Sequence, residues 1–142
     1  MIKREINGIE LREAIRVAFN MDDNIYKLYC PCVKVETLND IVRDISSRLH
    51  NDEPDAELRG VYEKGEIIGY YVFDGTRLIS FALNKKYRDK RRLRKYFDLI
   101  RDELGDEFEC YLWSINERGV RWLVKNGMRI IDVNPLITKL KM

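Results

Sequence analysis

From Lys85 to Lys95 the chain reads Lys-Lys-Tyr-Arg-Asp-Lys-Arg-Arg-Leu-Arg-Lys, eight cations in eleven residues with a single acid, Asp89. The run begins where an apolar stretch, Leu78-Ile79-Ser80-Phe81-Ala82-Leu83, gives way to a segment of helical periodicity. A strand-to-helix turn suits an anion, because the first helical N–H groups lack intrahelical partners and the helix dipole is positive there. Turns that cradle phosphate usually carry glycines, which let the backbone approach the anion closely. This turn has none, so the side chains that supply its charge also crowd it.

The charge is local. Eight cations and one acid give this stretch +7, and the overall net charge of +2 then leaves −5 for the rest of the chain. A globally basic chain would point to nucleic acid, whereas one cluster suits a compact anion equally well. At 142 residues, 45% hydrophobic and 35% charged, residues 1–142 read as one globular domain. Such a domain buries roughly two-thirds of the surface its unfolded chain exposes. No apolar run approaches the roughly 20 residues of a membrane-crossing helix, and Met1–Glu5 lacks the apolar core of a signal segment. A cytoplasmic location with no membrane partner is therefore expected.

Three cysteines cannot all pair and are expected to be reduced. Cys30-Pro31-Cys32 offers two thiolates, but zinc takes about four ligands, and only Cys110 and His50 remain, far along the chain. No metal is expected. His50 reads as a helix C-terminal cap or an exposed residue.

The elements that would position the basic turn follow from periodicity. Alternation and turn residues predict strands at about 2–7, 58–63, 67–74, 77–84, 108–113, 128–133 and 136–141. Asp74-Gly75 is expected to form a hairpin turn with both central residues at positive φ, and Lys64-Gly65 a similar one. Leu11, Ala14, Ile15, Ala18 and Phe19 share one face of a first helix. A second opens on Thr37-Leu38-Asn39-Asp40, close to a capping box, and buries Leu38, Ile41, Val42, Ile45 and Leu49. The third carries Leu93, Tyr96, Phe97, Ile100 and Leu104 and stops at Gly105; the fourth is short, with Val120, Leu123 and Val124 inward and Gly127 at its end.

The resulting order, β-α-α-β-β-β-α-β-α-β-β, resembles the GCN5-related N-acetyltransferase (GNAT) superfamily. Val61-Tyr62-Glu63-Lys64-Gly65-Glu66-Ile67-Ile68-Gly69-Tyr70 is similar to that family's second and third strands. Tyr87-Arg88-Asp89-Lys90-Arg91-Arg92-Leu93 lies where the family has its pyrophosphate loop, usually Arg/Gln-x-x-Gly-x-Gly/Ala. Asn116-Glu117-Arg118 through Lys125-Asn126-Gly127-Met128 resembles its late motif. The resemblance implies an α/β (α+β) fold: a mixed twisted sheet of about seven strands with helices on both faces. It also implies acetyl-CoA as cosubstrate and an amine-bearing small molecule or peptide as acceptor.

Three departures stand out. Arg91 and Leu93 occupy the loop's two glycine positions. The tyrosine that in many members protonates the departing thiolate is replaced by Leu123, with Tyr111 and Trp122 nearby. No acid lies on Arg77–Leu83, where a general base is frequent, which leaves Asp74 at the hairpin and Glu63 on the neighbouring strand as substitutes by location. A general acid contributes about 10²–10⁴-fold, so losing it weakens catalysis without abolishing it.

The resemblance further implies that the fourth and fifth strands splay apart, with backbone donors from about Phe81 through Ala82 to Leu83 for the thioester and its oxyanion. Arg88, Asp89, Lys90, Arg91, Arg92 and Leu93 would meet the pyrophosphate, the cations partly replacing lost N–H contacts. Asn116 would contact the pantetheine or order the strand end. The loop over 20–36, with Met21, Asp22, Asp23, Tyr26 and Tyr29, would form the acceptor side, its acids suiting a cationic amine.

Two other readings stay open. A catalytically inactive GNAT-like binding or structural protein keeps the fold without the reaction; such degraded loops resemble those of small phage- or prophage-encoded proteins. It would have a protein partner or form a homodimer, for which the final strand, Leu136–Met142, offers an edge. A nucleic-acid reading rests on the same basic run and is the weaker, since aromatics are sparse there and no nucleic-acid motif accompanies the charge.

Overall fold

The computed structural model describes residues 1–29 and 33–142; Cys30, Pro31 and Cys32, singled out above, lie outside the described residues. Seven strands stand within two residues of their expected bounds: β1 Ile2–Glu5, β2 Glu57–Glu63, β3 Glu66–Asp74, β4 Arg77–Leu83, β5 Glu109–Trp113, β6 Arg129–Val133 and β7 Ile137–Lys141. The helices are α1 Gly8–Phe19, α2 Ile25–Leu28, α3 Leu38–Asp52, α4 Lys90–Leu104 and α5 Glu117–Lys125. The single-turn α2 and a 3₁₀ turn over Lys85–Tyr87 add to the expected four helices. Segments of three or four residues are too short to show a helical period.

Local chemistry explains the boundaries. Thr37 and Asp40 form the expected capping box: Thr37 Oγ1 accepts from Asp40 N at 3.2 Å, and Asp40 Oδ2 from Thr37 N at 3.0 Å. Asn7 and Glu10 make a second one at α1. One turn differs from expectation. Asp74 pairs with Arg77, so Gly75 and Thr76 are the central residues, and only Gly75 (φ 59°) is at positive φ. The turn with both central residues positive is Lys64-Gly65, at φ 53° and 80°.

The strands form one sheet in the order β1-β2-β3-β4-β5-β7-β6. β7 is thus interior and cannot present the edge expected of Leu136–Met142; the edges are β1 and β6. Helices cover both faces. On one, Tyr96, Phe97, Ile100 and Leu104 of α4 and Leu123 of α5 pack on Tyr71, Phe73, Leu78, Cys110 and Leu140. On the other, Leu11, Ala14, Ile15 and Ala18 of α1 join Ile41, Val42, Ile45 and Leu49 of α3 over Tyr70, Val72 and Ala82. No helix among the described residues is long and apolar enough to cross a membrane.

All neighbouring pairs are antiparallel except β4 and β5, which run parallel and pair only at Arg77–Glu109 and Leu78–Cys110. At that point β4 has a bulge: Val72 faces Ser80 and Phe73 faces Leu78, leaving Ile79 as the extra residue. An extra residue bends its strand away from the ladder. Beyond it β4 stays with β3 as far as Leu83, and β5 stays with β7 as far as Trp113. The sheet therefore opens between them.

Candidate functional site

Two clefts meet at this opening. The narrower, about 260 Å³, is lined by Phe81, Ala82 and Leu83 of β4, Arg88, Leu93 and Tyr96 around the start of α4, and Asn116, Arg118 and Trp122 from α5 and its cap. The wider, about 490 Å³, runs along Ile79 and Ser80 of β4 and Tyr111, Leu112 and Trp113 of β5, toward Tyr29 and the α3 residues Arg48 and Asp52. Phe19, Ile25, Phe81 and Asn116 line both. The two clefts thus adjoin at Phe81 and Asn116.

Six of the ten residues expected to hold the cosubstrate, Phe81, Ala82, Leu83, Arg88, Leu93 and Asn116, line the narrower cleft. Their roles differ from expectation at the turn itself. Arg88 Nη1 donates to Asp22 Oδ2 at 2.7 Å, and its Nε to the Leu83 carbonyl at 2.7 Å. Asp22 is 6% exposed, and a buried carboxylate requires such a partner. Arg92 turns away from the cleft, to Glu63 Oε2 at 2.9 Å and Asp89 Oδ1 at 2.8 Å, with its guanidinium 5.2 Å from the centre of the Tyr87 ring.

Asp89 caps α4, its Oδ2 accepting from Arg92 N at 3.3 Å. The hydrogen bond from the Arg92 side chain, chiefly, holds this carboxyl below its ordinary range. An internal anion thus lies at the helix N-terminus where phosphate was expected. The amides of Lys90 and Arg91 lie ahead of it in the first turn, without intrahelical partners. The side chains of Lys90, Arg91 and Arg118 make no ion pair among the described residues, and Lys90 and Arg91 are exposed. Of these, Lys90 and Arg91 stand in the first turn of α4 and Arg118 lines the narrower cleft, where a ligand's phosphates could meet them.

Leu93 is half-buried, packed on the α4 core and lining the cleft, so its side chain occupies groove that a glycine would leave open. Asn116 caps α5, Oδ1 accepting from Gly119 N at 3.1 Å.

The expected acid–base residues are not gathered here. Glu63 is paired with Arg92, and Asp74 is exposed at the β3–β4 hairpin; neither lines a cleft. β3 ends at that hairpin, at the closed end of the β4–β5 pair, which carries Asp74 away from the opening. Tyr111 lines the wider cleft, with Lys139 Nζ 5.0 Å from its ring centre. Leu123 is fully buried in the core.

Two buried polar atoms stand unpartnered at the narrower cleft. Asp22 Oδ1 and Trp122 Nε1 are buried without hydrogen-bond partners, on residues that line it. Trp122 stacks on Tyr96 at 5.6 Å and lies 5.6 Å from Phe81. Asp22, expected on the acceptor side, belongs to this cleft instead, because Arg88 draws it in. Asp23 and Tyr26 are exposed and line neither cleft, while Tyr29 lines the wider one. Among the described residues no group of His, Cys, Asp and Glu is placed to hold a metal ion. Burial pushes the thiol of Cys110 up, away from thiolate chemistry.

No protein-family model matches the sequence, and no curated protein matches it. Solved structures do match in fold. An acetyltransferase from Thermus thermophilus superposes with a TM-score of 0.69 at 16% identity, covering 99% of this chain and 95% of that one. The PaiA N-acetyltransferase from Thermoplasma acidophilum, in complex with coenzyme A, gives 0.65 at 16% identity over 99% and 96%. Spermidine N-acetyltransferase from Vibrio cholerae, in complex with CoA and spermine, gives 0.61 at 10% identity over 99% and 94%. The fold is that of the GNAT acetyltransferases.

Proposed function

We propose that this chain is an acetyl-CoA-dependent N-acetyltransferase acting on a primary amine. The observation that carries the reading is the opening between β4 and β5, where two clefts join at Phe81 and Asn116. Acetyl transfer to an amine needs two ligands brought end to end from separate sites with little water between them. Acetyl-CoA supplies an already reactive thioester, so the protein's main task is orientation.

The residues fit the pantetheine arm better than the diphosphate. Backbone groups of Ile79–Leu83 that no longer face β5 can hydrogen-bond an extended arm as a strand would. The unpaired indole N–H of Trp122 and the unpaired Asp22 oxygen supply one further donor and one further acceptor. Lys90, Arg91 and Arg118 would meet phosphate by charge. With no tyrosine at position 123, the sulfur leaves without the acid many members of the fold use there, which places the expected rate low.

The reading of a fold kept without reaction also draws on a specific observation: Asp22 on Arg88 and Asp89 on the α4 N-terminus place internal anions where the diphosphate would lie. A thiol-release assay with acetyl-CoA and a mixed pool of primary amines separates the two. Amine-dependent release with a matching acetylated product supports the transferase; release no faster than without protein supports the second reading.

A further inference from the structure

The wider cleft bears on the acceptor, an inference that rests on the acetyltransferase reading. Its walls carry the rings of Tyr29, Phe81, Tyr111 and Trp113, with Ile79 and Leu112 between them. A volume of about 490 Å³, with walls more apolar than polar, lies in the range of small-molecule sites.

The charges around it are engaged with one another. Arg77 Nη2 lies 2.8 Å from Glu53 Oε2, and Arg48 Nε lies 3.1 Å from Asp44 Oδ2 with its guanidinium 5.7 Å from the Trp113 ring centre. Tyr29 donates its hydroxyl proton to Asp44 Oδ2 at 2.5 Å. Burial, then that carboxylate, pushes the Tyr29 phenol up, so this ring is a neutral wall. Deeper in, the Tyr70 hydroxyl and Ser80 Oγ satisfy each other at 2.9 Å. Asp52 is the one acid lining the cleft without an ion pair among the described residues.

A polyamine carries several ammonium groups, and each needs an acceptor or a counter-charge when it leaves water. This cleft offers one such acid and a surplus of rings. A cation beside an aromatic face is also favoured, which suits a single ammonium end near Phe81. We propose that the acceptor is a small primary amine with an aromatic or similarly flat apolar body. The body rests against Ile79, Tyr111 and Trp113, and the amine reaches the junction at Phe81 and Asn116.

The test compares acetyl transfer to 2-phenylethylamine, ethylamine and spermidine by the wild-type protein. The expected result is a kcat/KM for 2-phenylethylamine roughly 30-fold above that for ethylamine, the factor one buried ring supplies, and above that for spermidine. Trp113→Ala should narrow the 2-phenylethylamine to ethylamine ratio; a ratio within one preparation does not depend on how much of the variant is folded. Equal use of the two monoamines, or preference for spermidine, overturns the proposal.

Binding is read separately, by titrating 2-phenylethylamine while following the indole N–H resonance of Trp113. A saturating shift without acetyl transfer to any amine keeps the aromatic-amine site and rejects the transferase. Neither shift nor transfer rejects both.

Discussion

Arg88, the residue that opens the basic turn, is bonded through Nη1 to Oδ2 of Asp22 at 2.7 Å, which ties the turn to the segment that follows α1. The same guanidinium holds the carbonyl at the end of β4 through Nε. One side chain thus joins three segments around the narrower cleft, and its charge is already answered before any ligand arrives. Asp22→Asn keeps an acceptor for Arg88 but removes the competing anion. Acetyl-CoA affinity should rise about tenfold, the worth of one charge-assisted hydrogen bond, while stability falls by about 1–2 kcal/mol. Calorimetric titration and thermal unfolding read the two effects.

Asp89 offers a cleaner separation, because asparagine caps helices about as well as aspartate. Asp89→Asn keeps the cap but gives up the ion pair with Arg92, so it should lower the melting temperature only slightly while strengthening acetyl-CoA binding severalfold, since it removes a negative charge from the N-terminus of α4. Unchanged affinity would mean that no phosphate approaches this turn.

Gly69 of β3 faces Leu83 at the end of β4 with no room for a side chain. A Cβ there would lie 2.5 Å from the Ala82 carbonyl oxygen and 3.0 Å from Leu83 Cα, both backbone atoms that cannot turn aside. Gly69→Ala should cost about 1–3 kcal/mol by overpacking. It should also weaken ligand binding, because the displaced strand forms the cleft wall. Denaturant unfolding checks the first effect and acetyl-CoA titration the second.

Glu103 on α4 gathers Lys3 at 3.1 Å, Arg59 at 2.7 Å and the Tyr71 hydroxyl at 3.1 Å. Burial pushes its carboxyl up, but the hydrogen bonds from Lys3, Arg59 and Tyr71 outweigh that and hold it below its ordinary value of 4.5. A carboxyl lowered on folding binds fewer protons in the folded state than in the unfolded state. Its contribution is therefore complete above about pH 5 and is lost as pH falls through the lowered folded value. Glu103→Gln should cost about 1–2 kcal/mol at pH 7, and the gap from wild type should narrow as the pH is lowered through the carboxylate range; urea unfolding across that range measures it.

Much of this architecture is legible in the sequence because short-range rules write it. Thr37 and Asp40 announce the start of α3, Gly105 the end of α4, and alternation marks seven strands whose bounds shift by at most two residues. The site is less legible, because it depends on long-range partners. Nothing in the local sequence says that Ile79 is the extra residue that parts β4 from β5, since a bulge shows only against the strand it faces. Arg88 and Asp22 are 66 residues apart, and no periodicity joins them. Glu63 looks available on its strand until the fold pairs it with Arg92, and Asp74, at the hairpin as expected, lies at the closed end of the β4–β5 pair, away from the opening.

The most direct measurement is calorimetric titration of acetyl-CoA into the purified protein at moderate salt, with Arg91→Glu in parallel. Binding near micromolar, about −8 kcal/mol, that is lost in the variant is the predicted result, with exposed cations holding the phosphates in place of glycine amides. No heat up to millimolar acetyl-CoA in the wild-type protein would contradict the account and leave an acetyltransferase fold without its cosubstrate.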